Sequence, residues 1–290
     1  MDADSWHAKK ARHEARVDAW ITPHLERRSR GLSHPVEDFL FTYYSYRPAA
    51  LRRWHPGFGV TLTGAGIETF KGVKGYDVSG GRARVDPRRV AERRAELTAI
   101  RNLLLATESR PPALRCFGLH EWAMVYQQSP AELRHGAYPL RLGVEGTAEV
   151  IRSHRISCTH YDAFRFFTPA ARPLNAVQPG RETRERHEQP GCLHATMDCY
   201  KWAYQLAPFT SAELVADCFE LAREVRGIDM RAAPYDLTGL GVEPLPIETA
   251  AGKAEYVARQ REFAGRASVL RARLVNTCEE TLRSSADART

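Results

Sequence analysis

The sequence contains no apolar run approaching the roughly 20 residues that cross a bilayer, so no membrane-spanning helix is expected from it. It has no CxxC pair, no tandem repeat and no low-complexity tract. Its six cysteines (Cys116, Cys158, Cys192, Cys199, Cys218 and Cys278) have apolar neighbours and read as small core residues. No secretory leader precedes them, and a reduced, cytoplasmic setting is expected. No phosphate-binding glycine loop is present. Gly57-Phe58-Gly59 and Gly64-Ala65-Gly66 lack both the strand–GxGxxG–helix context and a Walker lysine, and read as turn glycines. HExxH and a local 2-His-1-carboxylate spacing are also missing.

What remains is ordinary for a soluble globular chain of 290 residues, with 43% hydrophobic and 27% charged residues. The net charge of +7 comes from scattered arginines and points towards an anionic partner, DNA or a nucleotide-like ligand, with no membrane.

Periodicity predicts a mainly α protein with a small β element (α+β): one compact helical domain over residues 1–290, with a β insertion at about 57–86. A charged helix is expected over 4–30, with Val17, Trp20, Ile21, His24 and Leu25 on one face. Further helices are expected from Pro35 through Ser45, from Pro48 to Trp54, over the Arg-rich stretch 87–108, and after a strand-like lead at 114. Short strands are expected at Val60–Thr63, Tyr76–Val78, Arg82–Val85, Leu140–Leu142 and Ile156–Cys158, with a helix near 145–153. Residues 173–190 read as a polar loop, a length that usually marks function or mobility. Three helices follow, at about 191–206, 211–230 and 249–284. Asp229 or Asp236 is a candidate for a place near the site, set against the blander expectation of a helix stop and a turn built around Pro234.

Three segments place ionisable side chains among aromatic ones, where burial is costly unless they are paired or used. They are Gly118–Tyr126, Cys158–Pro169 and Gln189–Trp202. His194 and Asp198 stand four apart on one helix face; His160 and Asp162 share a face if extended. His120, His160, His194 and Asp198 offer nitrogen and oxygen ligands suited to a divalent metal. Without a metal, Asp162 or Asp198, with Glu121 third, can supply the carboxylate for N-glycosidic hydrolysis, assisted by His160 and His194. Tyr43, Trp122, Tyr126, Tyr161 and Trp202 are candidate stacking faces for an extruded base, and Arg165 and Lys201 candidate partners for phosphate. A cysteine nucleophile is a further option, though no residue marks an oxyanion hole.

The stretches His34–Ser45, Phe117–Tyr126, Thr159–Pro169, Glu188–Asp198 and Asp229–Leu237 resemble an actinobacterial family whose members are labelled 3-methyladenine DNA glycosylases, not of the helix-hairpin-helix type. The resemblance runs along nearly the whole chain and implies a hydrolase of DNA repair acting by base excision. It carries no catalytic residue onto this sequence. Three functions are therefore expected in turn: removal of a damaged or modified base from DNA; a metal-dependent hydrolase or oxygenase on a nucleotide-like or small substrate; and a non-enzymatic nucleic-acid-binding protein.

Overall fold

A computed structural model of the chain describes residues 1–129 and 137–287. The protein is 59% helical and 5% strand, mainly α with one small sheet. Among the described residues no helix is long and apolar enough to cross a membrane. The chain folds into two compact units, each built from discontinuous stretches. The first comprises Met1–Leu105, Asp198–Arg223 and the chain from Val269; the second lies within Ala106–Met197 and Glu224–Ser268.

In the first unit, helix α1 (Ala3–Ser29) begins at Asp2, whose side chain accepts the Ser5 backbone N–H at 2.9 Å. It buries Trp6, His13, Val17, Ile21 and His24. The expected stripe is thus shifted, for Leu25 is 43% exposed. His13 Nε2 bonds Leu51 O at 2.9 Å, tying α1 to the short helix α3 (Pro48–Arg52). The helix expected from Pro35 shrinks to α2 (Phe39–Tyr43). Its lead-in is held as a turn because Asp38 accepts the His34 N–H, the Arg27 guanidinium and the His24 ring.

Three antiparallel strands, β1 (Leu62–Thr63), β2 (Tyr76–Ser79) and β3 (Arg82–Val85), pair in the order β1-β3-β2. Gly80 and Gly81, both with positive φ, make the two-residue turn between β2 and β3 that suits the twist of a hairpin. The sheet covers a cluster of Trp6, Trp54, Leu62, Ile67, Phe70, Ala83 and Ala212. The Arg-rich stretch divides into α4 (Arg88–Glu92) and α5 (Arg94–Glu108). At the break, Arg93 donates to Ala207 O at 2.7 Å.

The second unit holds α6 (Leu119–Ala123), α7 (Gly143–Arg152), α8 (Tyr161–Phe164) and α9 (Arg184–His187). It also contains residues 193–197 of α10 (Leu193–Gln205), the end of α11 (Ala212–Arg231) and the first half of α12 (Ala250–Asp287). The expected strands at 140 and 156 are only single bridges, Leu140 to Tyr235 and Ile156 to Asn175. Each has one partner residue rather than a strand to continue along. The 173–190 stretch is not featureless: it forms short helical turns at Arg172–Leu174 and Arg181–Thr183 before α9.

His55, in the first unit, is 4% exposed, and burial, followed by the charges of His13 and Arg53, holds its imidazole down at about 4 instead of 6.5. The unfolded chain takes this proton near pH 6.5 and the folded chain only near pH 4. The stability it confers is therefore complete above pH 6.5 and is lost as the pH falls towards 4. The loss is expected to be about 3 kcal/mol. In denaturant unfolding at pH 7 and pH 4, His55→Gln should lose about 3 kcal/mol less than the parent between the two; equal losses would refute the assignment.

Candidate metal centre in the second unit

A strained turn sets up the site. Phe117 has φ 48° and Gly118 φ 72°, and Leu119 N donates to Cys116 O at 2.8 Å, so the chain reverses directly into α6. A Cβ on Gly118 would lie 3.2 Å from Ala232 Cβ and 3.4 Å from the Tyr256 ring, so α6 packs closely there. The turn puts Cys116 and His120 on the same side, with Cys116 Sγ 3.3 Å from His120 Nδ1.

The other ring nitrogen of His120 meets α11. His120 Nε2 lies 3.0 Å from Asp229 Oδ1 and 3.3 Å from Oδ2. His194, near the start of α10, packs edge-on against His120 with ring centroids 4.4 Å apart. His120, His194 and Asp229 are all buried, and each offers one ligand atom within 4.8 Å of the other two. Donors about 2.1 Å from a shared ion stand roughly 3–4 Å apart, so small side-chain movements complete such a site. Asp229 Oδ1 is buried and accepts no hydrogen bond.

The electrostatics are closed around it. Arg226 Nη1 donates to Glu121 Oε1 at 3.0 Å and lies 3.6 Å from Asp229 Oδ2. Burial alone pushes the Asp229 carboxyl up; the charge and hydrogen bond of His120, with His194 and Arg226, hold it down at about 2. Burial opposes a proton on His120, but Asp229 and Cys116 raise the imidazole well above 6.5. In that state Nδ1–H donates to Cys116 and Nε2–H to Asp229.

Beside His120 and His194 is a cavity of about 10 Å³, bordered also by Cys116, Cys158, Cys192 and Tyr256. That is room for about one water or an ion. Tyr256 Oη is buried there without a hydrogen-bond partner. Of the six cysteines Cys116 alone is not buried, and burial pushes the Cys158 and Cys192 thiols upward, which keeps both protonated.

The three expected histidines do meet: His160 stacks on His194 with centroids 5.3 Å apart, and its Nε2 lies 3.7 Å from Glu188 Oε1. Asp198 does not take the expected ligand role. It belongs to the first unit, where it accepts from Tyr44 Oη at 2.9 Å and lies 3.6 Å from Lys201 Nζ. Asp229 stands in its place beside the histidines. Asp162 faces Arg165 and Arg184, and Glu121 faces Arg226, so each expected catalytic carboxylate has a cation beside it.

Trp122 is 0% exposed and donates to Ala232 O at 2.8 Å, leaving no face for a substrate; Tyr126 and Trp202 are also buried. Lys201 lies over the Trp202 ring at 4.7 Å. Tyr43, in the first unit, stacks on Phe39 at 4.9 Å, and Tyr161 is half-buried at the start of α8.

The sequence reading named Asp229 as a candidate near the site without giving it a ligand role, and gave no role to Arg226, Tyr256 or Glu188. The signal for the first two was an Arg and an Asp interrupting the apolar stripe of α11 between Val225 and Met230. For Glu188 it was an acid preceding the apolar Gly191-Cys192-Leu193. Comparison with known protein families, characterised proteins and solved structures finds no match to this chain.

Arg226, with its side chain 2% exposed, is the countercharge of two buried carboxylates. Arg226→Met should cost about 3–5 kcal/mol in denaturant unfolding, because the acids are left uncompensated. Adding Glu121→Gln should recover part of that loss; a cost below about 1 kcal/mol would place the pair outside the load on folding.

Proposed function

We propose that the second unit is a metal-dependent hydrolytic centre for a small substrate, with a divalent ion on His120, His194 and Asp229. The observation carrying this reading is the convergence of two imidazoles and a carboxylate, all buried, from three distant segments. Two nitrogens and one oxygen suit zinc, iron or manganese, and three protein ligands leave at least one position for water. Zinc held there would lower the pKa of its bound water to about 7 and so would supply a nucleophile at neutral pH. Cys116, on the far nitrogen of His120, would fix that ring's orientation. The Tyr256 hydroxyl borders the same cavity and can hydrogen-bond the water or the substrate.

Base removal from DNA rests on the family resemblance and the basic charge. It requires a pocket for an extruded base, whereas the cavity at His120 and His194 has room for about one water. That space suits an ion or its water and holds neither an extruded base nor a whole substrate, so what favours the metal reading is the cluster of His120, His194 and Asp229 and not the size of the cavity.

Elemental analysis of purified protein should find close to one equivalent of zinc, iron or manganese. His194→Ala should lose it, while Asp198→Asn should keep it. Hydrolysis of small ester, amide and phosphoester substrates should require the ion. Base release from alkylated DNA that survives chelation and disappears in Asp162→Asn would replace this reading with the glycosylase one.

A further inference from the structure

The first unit has an open cleft of about 730 Å³, within the range of small-molecule sites. None of its residues belongs to the histidine cluster, and its charges do not cancel. Arg89 pairs with Glu92 at 2.7 Å and Arg93 with Glu96 at 2.9 Å, which neutralises both acids of the lining. Arg53 and Lys74, both exposed, have no ion pair or hydrogen bond among the described residues. Two cations thus face the cleft uncompensated, which calls for an anion.

One wall is aromatic. Tyr46 and Tyr204 stack with centroids 4.9 Å apart and 15° between planes, and both are half-buried. Burial raises both phenols to about 12, so the rings stay uncharged at neutral pH.

We propose that this cleft binds a nucleotide, with phosphate on Arg53 and Lys74 and base against the Tyr46–Tyr204 pair. Each part of the ligand answers a separate unsatisfied feature of the wall. Inorganic phosphate satisfies only the first of them, and an apolar ring only the second. The same chemistry is presented by a free mononucleotide and by one residue of a single strand, where base–aromatic stacking is tolerant of sequence.

Titration calorimetry on the full chain, with chelator present so that the metal centre plays no part, tests this. The probes are AMP, inorganic phosphate and an oligothymidylate of eight residues. AMP should bind at one per chain, and Arg53→Gln, Lys74→Gln and Tyr46→Leu should each weaken it by about tenfold. The first two replace exposed side chains, so the fold is kept. Tighter binding of the oligonucleotide with the same sensitivities supports the proposal and identifies the single strand as the source. Phosphate binding as tightly as AMP, affinity indifferent to Tyr46→Leu and Arg53→Gln, or no binding of AMP or oligonucleotide at millimolar concentration would each overturn it.

Discussion

The ion pair of Arg226 with Glu121, extended through Asp229 to His120, is the constraint on which the second unit depends. A buried ion costs several kcal/mol unless compensated. Here two carboxylates, one guanidinium and one imidazolium sum to zero, and no member can leave without exposing the others. That balance fixes α6 against α11 and explains why α6, only five residues long, tolerates a left-handed Phe117 before it. It also limits what an incoming ion changes. A divalent metal replacing the His120 proton raises the local charge by one, because a +2 charge takes the place of a +1.

The helices and the small sheet were legible because their signals are local: spacing along α1, α11 and α12, and the Gly80-Gly81 turn between β2 and β3. Failures occurred where side chains from elsewhere took over the backbone's hydrogen-bonding roles. Asp38 collects donors from α1 and from His34, so the stretch after Pro35 is a turn rather than helix. The helix expected over 87–108 divides at Arg93, whose backbone leaves helical geometry (φ −111°, ψ 13°) and whose side chain donates to Ala207 O.

The site divides the same way. His120, His160 and His194 could be picked out because an imidazole among aromatic residues is conspicuous in a linear reading. Asp229 stood out only as a residue that could lie near the site, for its partner is 109 residues away and its spacing of three from Arg226 on a helix is that of an ordinary solvated pair. Asp198 has the more suggestive spacing to His194, yet Tyr44 and Lys201 claim it in the first unit. Spacing on one helix shows which side chains share a face; it does not show which element that face meets.

A core His–Asp pair is common as plain structure, and burial by itself does not make a site of this one. The distinguishing feature is the set of groups left unsatisfied around it. Purely structural polar networks close on themselves, because each orphaned buried donor or acceptor costs about 1–3 kcal/mol. Here Tyr256 Oη is buried without a hydrogen bond on the cavity beside His120 and His194, and Asp229 Oδ1, also without one, faces His120 Nε2 at 3.0 Å. The turn feeding His120 into that position adds a positive φ at Phe117, a strain of about 1–3 kcal/mol in a non-glycine residue. Gly118 beside it relieves none of this, since its own φ is also positive and its Cβ position is closed by Ala232 and Tyr256. Strain and an unsatisfied hydroxyl in one place are destabilising in the folded chain alone, a cost that the ion proposed for His120, His194 and Asp229 would offset in part.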